Sequence, residues 1–324
     1  MISFVDDTEL KGYEQLTIQQ GNDYEGNVQC TLVRLKSNTR RKTAVLHVHG
    51  FNDYFFHDHI GRIFFDNNID FYAVDLRKSG RSILPHQKMN NLRSISEYFE
   101  DIKSSLQLIR QLHEGQVILF GHSMGGLVAA LFAADPKNAA LFDGLFLNSP
   151  FFEQNKDVLT RKLLIPLVAN LGKSFPNMRV PGGFSKFYGP SLHQSEHGIW
   201  NYNLLWKPHV ADLVNAGWVR AIYLAQKEIQ SGKRFTKPVL IAFPQKSYAN
   251  FRWNDRFMTA DAVVNVKHIR KYAKKMTGDV RIFEIPDAVH DLFLSSQEPR
   301  NQAIELVFNW IGEKFPLSDN KQEF

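Results

Sequence analysis

The chain has 324 residues, 44% of them apolar, enough to bury a substantial core as one large domain or as a domain carrying an insertion. Its formal net charge of +6 comes from scattered Lys and Arg with no zinc-finger spacing or RNP-like run, so no nucleic-acid partner is expected. The single cysteine, Cys30, excludes an intramolecular disulfide and a cysteine-only metal site, and no run approaches the ~18 apolar residues that suggest a membrane span.

Residues 1–11 read as loose; they are acidic, lack a long apolar run and do not resemble a signal peptide. The compartment expected for the chain is a reducing cytoplasm. Residues 13–19 and 26–35 read as a starting hairpin turned at 20–23, with Cys30 as a small core or half-buried residue. Residues 37–42 form a basic turn; this block, 233–234 and 267–275 read as solvated faces rather than binding patches. A strand at 43–48 leads into His49-Gly50-Phe51-Asn52-Asp53, and a helix at 58–67 into a strand at 70–74. That strand ends in the polar loop Asp75-Leu76-Arg77-Lys78-Ser79-Gly80-Arg81-Ser82. Phe99, Ile102, Leu106 and Ile109 recur at helical spacing in a helix capped by Ser94 and Glu97 and ending near Leu112.

Residues 117–134 read VILFGHSMGGLVAALFAA: the end of a buried strand, a five-residue turn and a helix of small and apolar residues. The turn Gly121-His122-Ser123-Met124-Gly125 fits the G-x-S-x-G pattern of a nucleophile elbow, in which a serine sits on a sharp strand-to-helix bend. A further strand at 143–148 follows. Strands alternating with helices of ten or more residues imply a mainly parallel sheet with function at the carboxyl ends of its strands, where His49, Asp75, Ser123 and Ser149 all fall.

From about 150 to 232 the strand rhythm stops. A helix at 159–171, a Gly- and Pro-rich stretch at 176–190, an aromatic-rich stretch at 196–206 and more helix at 208–230 make this a candidate cap whose apolar side chains line a substrate pocket or pack on one another. The sheet resumes at 238–243 and again at 280–285. Helices are expected at 266–276 and 301–315, before a polar, frayed tail at 316–324.

A nucleophilic serine needs a base, and the base an acid that fixes its tautomer. Of 12 histidines only His290 follows the last strand, from which a loop can reach back over Ser123; His268 looks like a surface residue. Two aspartates compete for the acid. Asp261 precedes a helix, where it could both cap backbone and face His290, and is the stronger candidate; Asp255, beside arginines, is the alternative. Asp287 and Asp291 stand too close to His290 in sequence to orient it well. Oxyanion donors are expected from the backbone N–H of Met124, just after the serine, and of Phe51, in the loop after the 43–48 strand. His47, His49, His57, Asp58 and His59 are the chemical rival, a metal centre. They contain no H-E-x-x-H helix and read instead as a solvent-linked histidine cluster in which His49 positions the oxyanion loop, so no metal and no cofactor are expected.

In His49-Gly50, the DLRKSGRS loop, Gly121 to Gly126, and Asp261-Ala262-Val263-Val264 with His290, the chain resembles an α/β-hydrolase. More closely it resembles the monoacylglycerol lipase and lysophospholipase group, also described as serine aminopeptidase S33-like, over about residues 25–315. The resemblance implies a mostly parallel central sheet flanked by helices, with a core of residues 1–149 and 233–324 and a helical cap at 150–232. It maps the nucleophile to Ser123, the base to His290 and the acid to Asp261, and the chain departs from the pattern in the long segment 244–260. The implied function is a serine hydrolase of carboxylic esters: a monoacylglycerol lipase, lysophospholipase or carboxylesterase. Its partners would be a small ester with an acyl chain and, transiently, a lipid surface. A serine at the elbow speaks against the carboxylate-nucleophile chemistry of dehalogenases and epoxide hydrolases on this fold. An aminopeptidase-like amide hydrolase, hinted at only by Glu196 and Asp212, an acyltransferase and a non-catalytic binding protein are the alternatives.

Overall fold

The computed structural model describes residues 3–37, 41–210 and 213–316. The amino-terminal strands β1 (Val5–Asp6), β2 (Tyr13–Asp23) and β3 (Gly26–Leu35) form an antiparallel meander. Then come β4 (Thr43–Val48), α1 (Asp58–Asp66), β5 (Ile69–Asp75), α2 (Ser96–Leu112), β6 (Gln116–His122), α3 (Met124–Ala134) and β7 (Gly144–Asn148). Between β7 and the next strand of this sheet lie α4 (Ile165–Ser174), the short strands β8 (Arg179–Pro181) and β9 (Leu213–Asn215), α5 (Tyr188–Leu192) and α6 (Ala216–Gln230). The chain closes with β10 (Val239–Pro244), α7 (Val266–Ala273), β11 (Val280–Ile285) and α8 (Gln297–Lys314).

Nine strands form one sheet in the order β1-β2-β3-β5-β4-β6-β7-β10-β11, parallel from β5 onward. Strands β4, β5, β7 and β10 are buried along their whole length, as a parallel sheet covered on both faces requires. On one face α2, α3, α6 and α7 pack through Ile102, Leu127, Ile222 and Ile269; on the other α1 and α8 pack through Phe64, Val307 and Trp310. This is the α/β-hydrolase fold with an inserted, mainly helical cap region.

Several local readings need correction. Residues 5–6 pair with β2, and Asp7 holds Arg81 through two hydrogen bonds, so the segment before residue 11 is tied down. The hairpin turns at Tyr24 and Glu25 rather than at 20–23. Gly21, at φ +83°, sits in a register slip that lets β2 continue to Asp23. The cap contains a two-stranded sheet, β8 with β9, too short to show a period in sequence. The helix expected at 159–171 opens with a π-helical stretch, Thr160–Leu164, because Pro166 has no N–H to give the preceding turn. Helix α8 starts four residues earlier than expected, since Pro299 falls in its first turn, where a missing N–H costs nothing. Residues 38–40 of the basic turn and 317–324 of the tail lie outside the described residues.

The DLRKSGRS loop binds neighbouring strand ends together. Asp75 accepts hydrogen bonds from the backbone N–H of Phe55 (2.8 Å) and from the backbone and guanidinium of Arg81 (3.0 and 2.9 Å). The loop after β4 is thereby tied to the loop after β5.

Candidate active site

The site is assembled at the carboxyl ends of β4, β6, β7, β10 and β11. At the end of β6 the chain bends through Ser123, which holds φ 54° and ψ −116°, a strained conformation for a residue with a side chain. Its flanking glycines are steric necessities. A Cβ on Gly121 would lie 2.6 Å from the Gly125 carbonyl oxygen, and one on Gly125 would lie 2.3 Å from the carbonyl oxygens of Val48 and His49. The bend is held from beside it: Ser123 donates its N–H to Asn148 O (3.0 Å) and accepts from the N–H of Phe151 (3.0 Å).

Loops from the far end of the chain close over this bend. His290 Nε2 lies 2.8 Å from Ser123 Oγ, and His290 Nδ1 lies 2.8 Å from Asp261 Oδ2. The second carboxylate oxygen of Asp261 accepts from the N–H groups of Val263 and Val264, both at 2.8 Å. With Oδ1 engaged by backbone, the Asp261 carboxylate presents Oδ2 to Nδ1–H, which leaves Nε2 free to accept from the serine. Asp261 caps this tight turn; α7 has its own cap, Asn265, whose side chain accepts from Lys267 N–H. Asp255 is exposed in a separate 3-10 turn. Three separated stretches of the chain thus meet at one chain of hydrogen bonds, while Asp287 is exposed 3.9 Å from Lys246.

Phe51 and Met124 flank Ser123, one on the loop after β4 and the other as the first residue of α3. A Cβ on Gly50 would sit 3.2 Å from Ser123 Cβ, which shows how closely this loop approaches the serine. His49 pins it there. Its Nδ1 is 2.8 Å from Gly50 O and its Nε2 accepts the Leu76 N–H at 3.0 Å, so Nδ1 carries the proton.

The histidine cluster is not solvent-linked: His47, His49 and His57 are buried. His57 Nε2 bonds Asp291 (2.9 Å), which also accepts from Asn148 Nδ2 (2.8 Å) and from the Phe293 N–H (3.1 Å). Asp291 therefore anchors the loop that carries His290 to the end of β7, although it makes no direct bond to His290. Its carboxyl is held well below the usual range: burial opposes ionisation, but His122, His57 and Asn148 outweigh it. Burial pushes His122 down to about 4 and His47 well below the ordinary histidine value, so both are neutral at neutral pH. Among the described residues no group of three or more His, Cys, Asp or Glu side chains is arranged to hold a metal ion. His268 is half-buried rather than on the surface, and Cys30 is buried, its thiol pushed up to about 12.

A cavity of about 710 Å³ opens at Ser123. Its wall is polar at the serine, with Asp53, His122, Lys207 and His290, and apolar beyond, with Leu164, Val168, Val214, Trp218 and Val219 of the cap. Asp53 and Lys207 are residues that the sequence did not single out. Both are buried, and Lys207 Nζ lies 2.7 Å from Asp53 Oδ1, joining the cap to the loop after β4. Burial alone would raise the Asp53 carboxyl; the adjoining ammonium reverses this and holds it below its ordinary value. The signal missed was the one acid of Phe51-Asn52-Asp53-Tyr54-Phe55-Phe56, a largely aromatic run after His49-Gly50. Glu196 is exposed and away from the cavity wall, and Asp212 lies outside the described residues.

Comparison with known proteins agrees with this fold. The fold matches a soluble variant of monoglyceride lipase from Saccharomyces cerevisiae in complex with a substrate analogue (TM-score 0.68, 16% identity, 92% of this chain and 95% of that one). It also matches a monoacylglycerol lipase from Paleococcus ferrophilus (TM-score 0.66, 19% identity, 87% and 99%). A stretch of 65 residues is 37% identical to protein phosphatase methylesterase 1 of Schizosaccharomyces pombe, spanning 20% of this chain and only 19% of that protein. The sequence profile described as serine aminopeptidase, S33, matches residues 39–246, more than half of the chain. The chain therefore belongs to the serine aminopeptidase S33 family, a lipase- and esterase-like group of the α/β-hydrolases.

Proposed function

We propose that the protein hydrolyses carboxylic esters of acyl chains by a two-step acyl transfer from substrate to Ser123 and on to water, with monoacylglycerols and lysophospholipids as the leading substrates. The single observation that carries this reading is the hydrogen-bonded chain Ser123–His290–Asp261 at the polar end of an otherwise apolar cavity. In the first step His290 Nε2 takes the Ser123 hydroxyl proton as Oγ adds to the ester carbonyl carbon. The charge that develops on the carbonyl oxygen meets the N–H groups of Phe51 and Met124, the latter at the positive end of α3. Asp261 stabilises the imidazolium, which returns its proton to the alkoxide leaving group as the C–O bond breaks. Water then attacks the acyl-enzyme with His290 as base, and collapse of the second tetrahedral adduct releases the carboxylic acid and restores the serine.

The apolar arm of the cavity suits an acyl chain, and residues 150–232 act as the cap that supplies it. An aminopeptidase would need an available carboxylate to hold the substrate's free amine. Asp53, the carboxylate that lines the cavity among the described residues, already holds the ammonium of Lys207, so the chain's own lysine occupies the place such an amine would take.

Labelling with a fluorophosphonate probe tests the nucleophile. Wild type should react and Ser123→Ala should not, with kcat falling by about 10⁶; a fully active Ser123→Ala enzyme would end the proposal. Assay of 4-nitrophenyl esters, monoacylglycerols, lysophospholipids and aminoacyl amides should show acyl esters preferred, and faster turnover of the amides would put a peptidase in its place.

A further inference from the structure

The basic stretch 267–275 reads in sequence as a solvated face, but the fold brings part of it together with cations from elsewhere in the chain. A second cavity, of about 310 Å³, lies where the π-helical stretch Thr160–Leu164 meets α6 and α7. Four cations from three separate elements line it: Arg161 and Lys162 of the π-helical stretch, Lys227 of α6 and Lys271 of α7. One carboxylate joins them, Glu153, and it is already engaged by Arg161 (3.2 Å) and by the Tyr272 hydroxyl (3.0 Å). The acids beside the lysines are taken as well. Glu228, next to Lys227, is held by Lys233 (2.7 Å), and Glu284 is held by Arg270 (2.6 Å), next to Lys271. Among the described residues no ion pair offsets Lys162, Lys227 or Lys271.

Like charges gathered in a concavity repel one another and focus a positive field there, so the arrangement favours an anion among them. Arg161 is set in advance for one. Its Nε donates to Lys156 O (3.0 Å) and its Nη1 to Glu153 (3.2 Å), which leaves Nη2 without a partner among the described residues. Lys227 and Lys271 lie against the rings of Tyr223 and Tyr272, their Nζ atoms 5.5 and 5.0 Å from the ring centres. Part of the cavity wall also supports the serine. Gln226 and Gln230, both buried, line the cavity and donate through Nε2 to Phe151 O (3.1 Å) and Phe152 O (2.8 Å). Phe151 in turn gives its N–H to Ser123 O (3.0 Å), and Gln154 and Ile165 line both this cavity and the Ser123 cavity.

We propose that this cavity is an effector site for a small, water-soluble phosphate monoester, whose phosphate sits among Arg161, Lys162, Lys227 and Lys271 and whose occupancy alters the reactivity of Ser123. Charge selects the class: four cations against one engaged carboxylate suit a group that carries nearly two negative charges at neutral pH better than a lone carboxylate. Size selects a small molecule, since the cavity stands at the lower end of the range of ligand pockets. The effect on Ser123 rests on the ester-hydrolase reading; binding itself is measured without turnover.

The test is calorimetric titration of the full chain with glycerol 2-phosphate, with glycerol as the uncharged control. Wild type should give saturable binding of the phosphate alone, weakening as salt is added. The triple variant Lys162→Gln, Lys227→Gln, Lys271→Gln should bind at least about tenfold more weakly. A control variant, Lys36→Gln, Lys233→Gln, Lys314→Gln, loses the same charge outside the cavity and should bind like wild type. At saturating phosphate the rate of fluorophosphonate labelling of wild type should change by about fivefold, and that of the cavity variant should not respond. No saturable binding would overturn the proposal, and equal weakening in the two triple variants would reduce it to diffuse charge and overturn it too. Binding that leaves the labelling rate unchanged would overturn the effector role. Capture by phosphatidylglycerol vesicles without any binding of glycerol 2-phosphate would place the phosphate on a lipid and overturn the soluble ligand. A wild type that is never labelled, with or without phosphate, would count against the hydrolase reading while the titration still decides the site.

Discussion

Helix α3 starts just after Ser123 and helix α4 lines the Ser123 cavity, and the surroundings of their apolar side chains are opposite. Helix α3, MGGLVAALFAA, is buried on every side among the sheet, α2 and α6, with Leu127, Val128 and Phe132 in the core. Helix α4, IPLVANLGKS, turns Ala169 and Gly172 inward and Leu167 and Leu171 outward. The loops around α3 carry matching polar detail: Asp261, Asp291, His49 and Asn148 each bond two or more partners. The exposed face of α4 makes no such bonds through its apolar side chains. The candidate catalytic groups therefore sit among side chains that are each held by several partners, and the large apolar side chains of α4 do not.

The largest effect that can break this contrast lies in the acid. Asp261→Asn should lower kcat by about 10³–10⁴, because a neutral amide neither fixes the His290 tautomer nor stabilises its imidazolium. Asp255→Asn, in an exposed turn, should leave kcat at the wild-type value. Steady-state kinetics on a short-chain ester decides it, and the reverse ranking would move the acid to Asp255.

Much of the core was legible because its signals are local. An unbroken apolar strand, glycines on both sides of Ser123 and a small-residue helix together mark a sharp strand-to-helix bend, and His290 was the one histidine beyond the last strand. The partners that tie loops together were not legible, since they join residues far apart in sequence. His57 and Asp291 are separated by 234 positions, and Asn148 and Asp291 by 143. Nothing in a period or a motif links Asp53 to Lys207 across the cap. The direction in which α4 faces was also hidden. Its pattern has apolar residues on more than one side, and only packing shows that the small ones are those buried.

Next in size is the tie between cap and core. Lys207→Met leaves the Asp53 carboxylate buried without its cation and should destabilise the protein by about 3 kcal/mol, the usual cost of removing one partner of a buried pair. Asp53→Asn together with Lys207→Met should recover most of that loss, because no charge then remains to be solvated. Urea unfolding of the three proteins measures it. Equal losses in the single and double variants would show that Lys207 matters for packing alone.

A smaller effect follows from pH. His122 has a folded pKa of about 4, below the ordinary value near 6.5, because burial disfavours its cation. The unfolded chain binds this proton more readily, so the stabilising contribution is complete above pH ~6.5 and is lost as pH falls toward ~4, at about 1.4 kcal/mol per unit. The urea midpoint of wild type should fall through that window, and His122→Phe should flatten the slope. An unchanged slope in the variant would assign the acid sensitivity to other buried groups.

The smallest effect, at Leu167, gives the sharpest reading of the two helices when it is set beside the same deletion at Leu127. Leu127→Ala on α3 empties space in a closed core and should cost about 2–5 kcal/mol, while Leu167→Ala on α4 should change stability by less than about 0.5 kcal/mol. Leu127 is fully buried and Leu167 is 56% exposed, so the same deletion removes packing in one place and surface hydrocarbon in the other. Thermal and urea unfolding of the isolated protein gives both numbers. A large loss for Leu167→Ala would mean that Leu167 is already covered within the chain or by a second copy. A negligible one means that folding does not require the Leu167 side chain, whereas it does require Leu127.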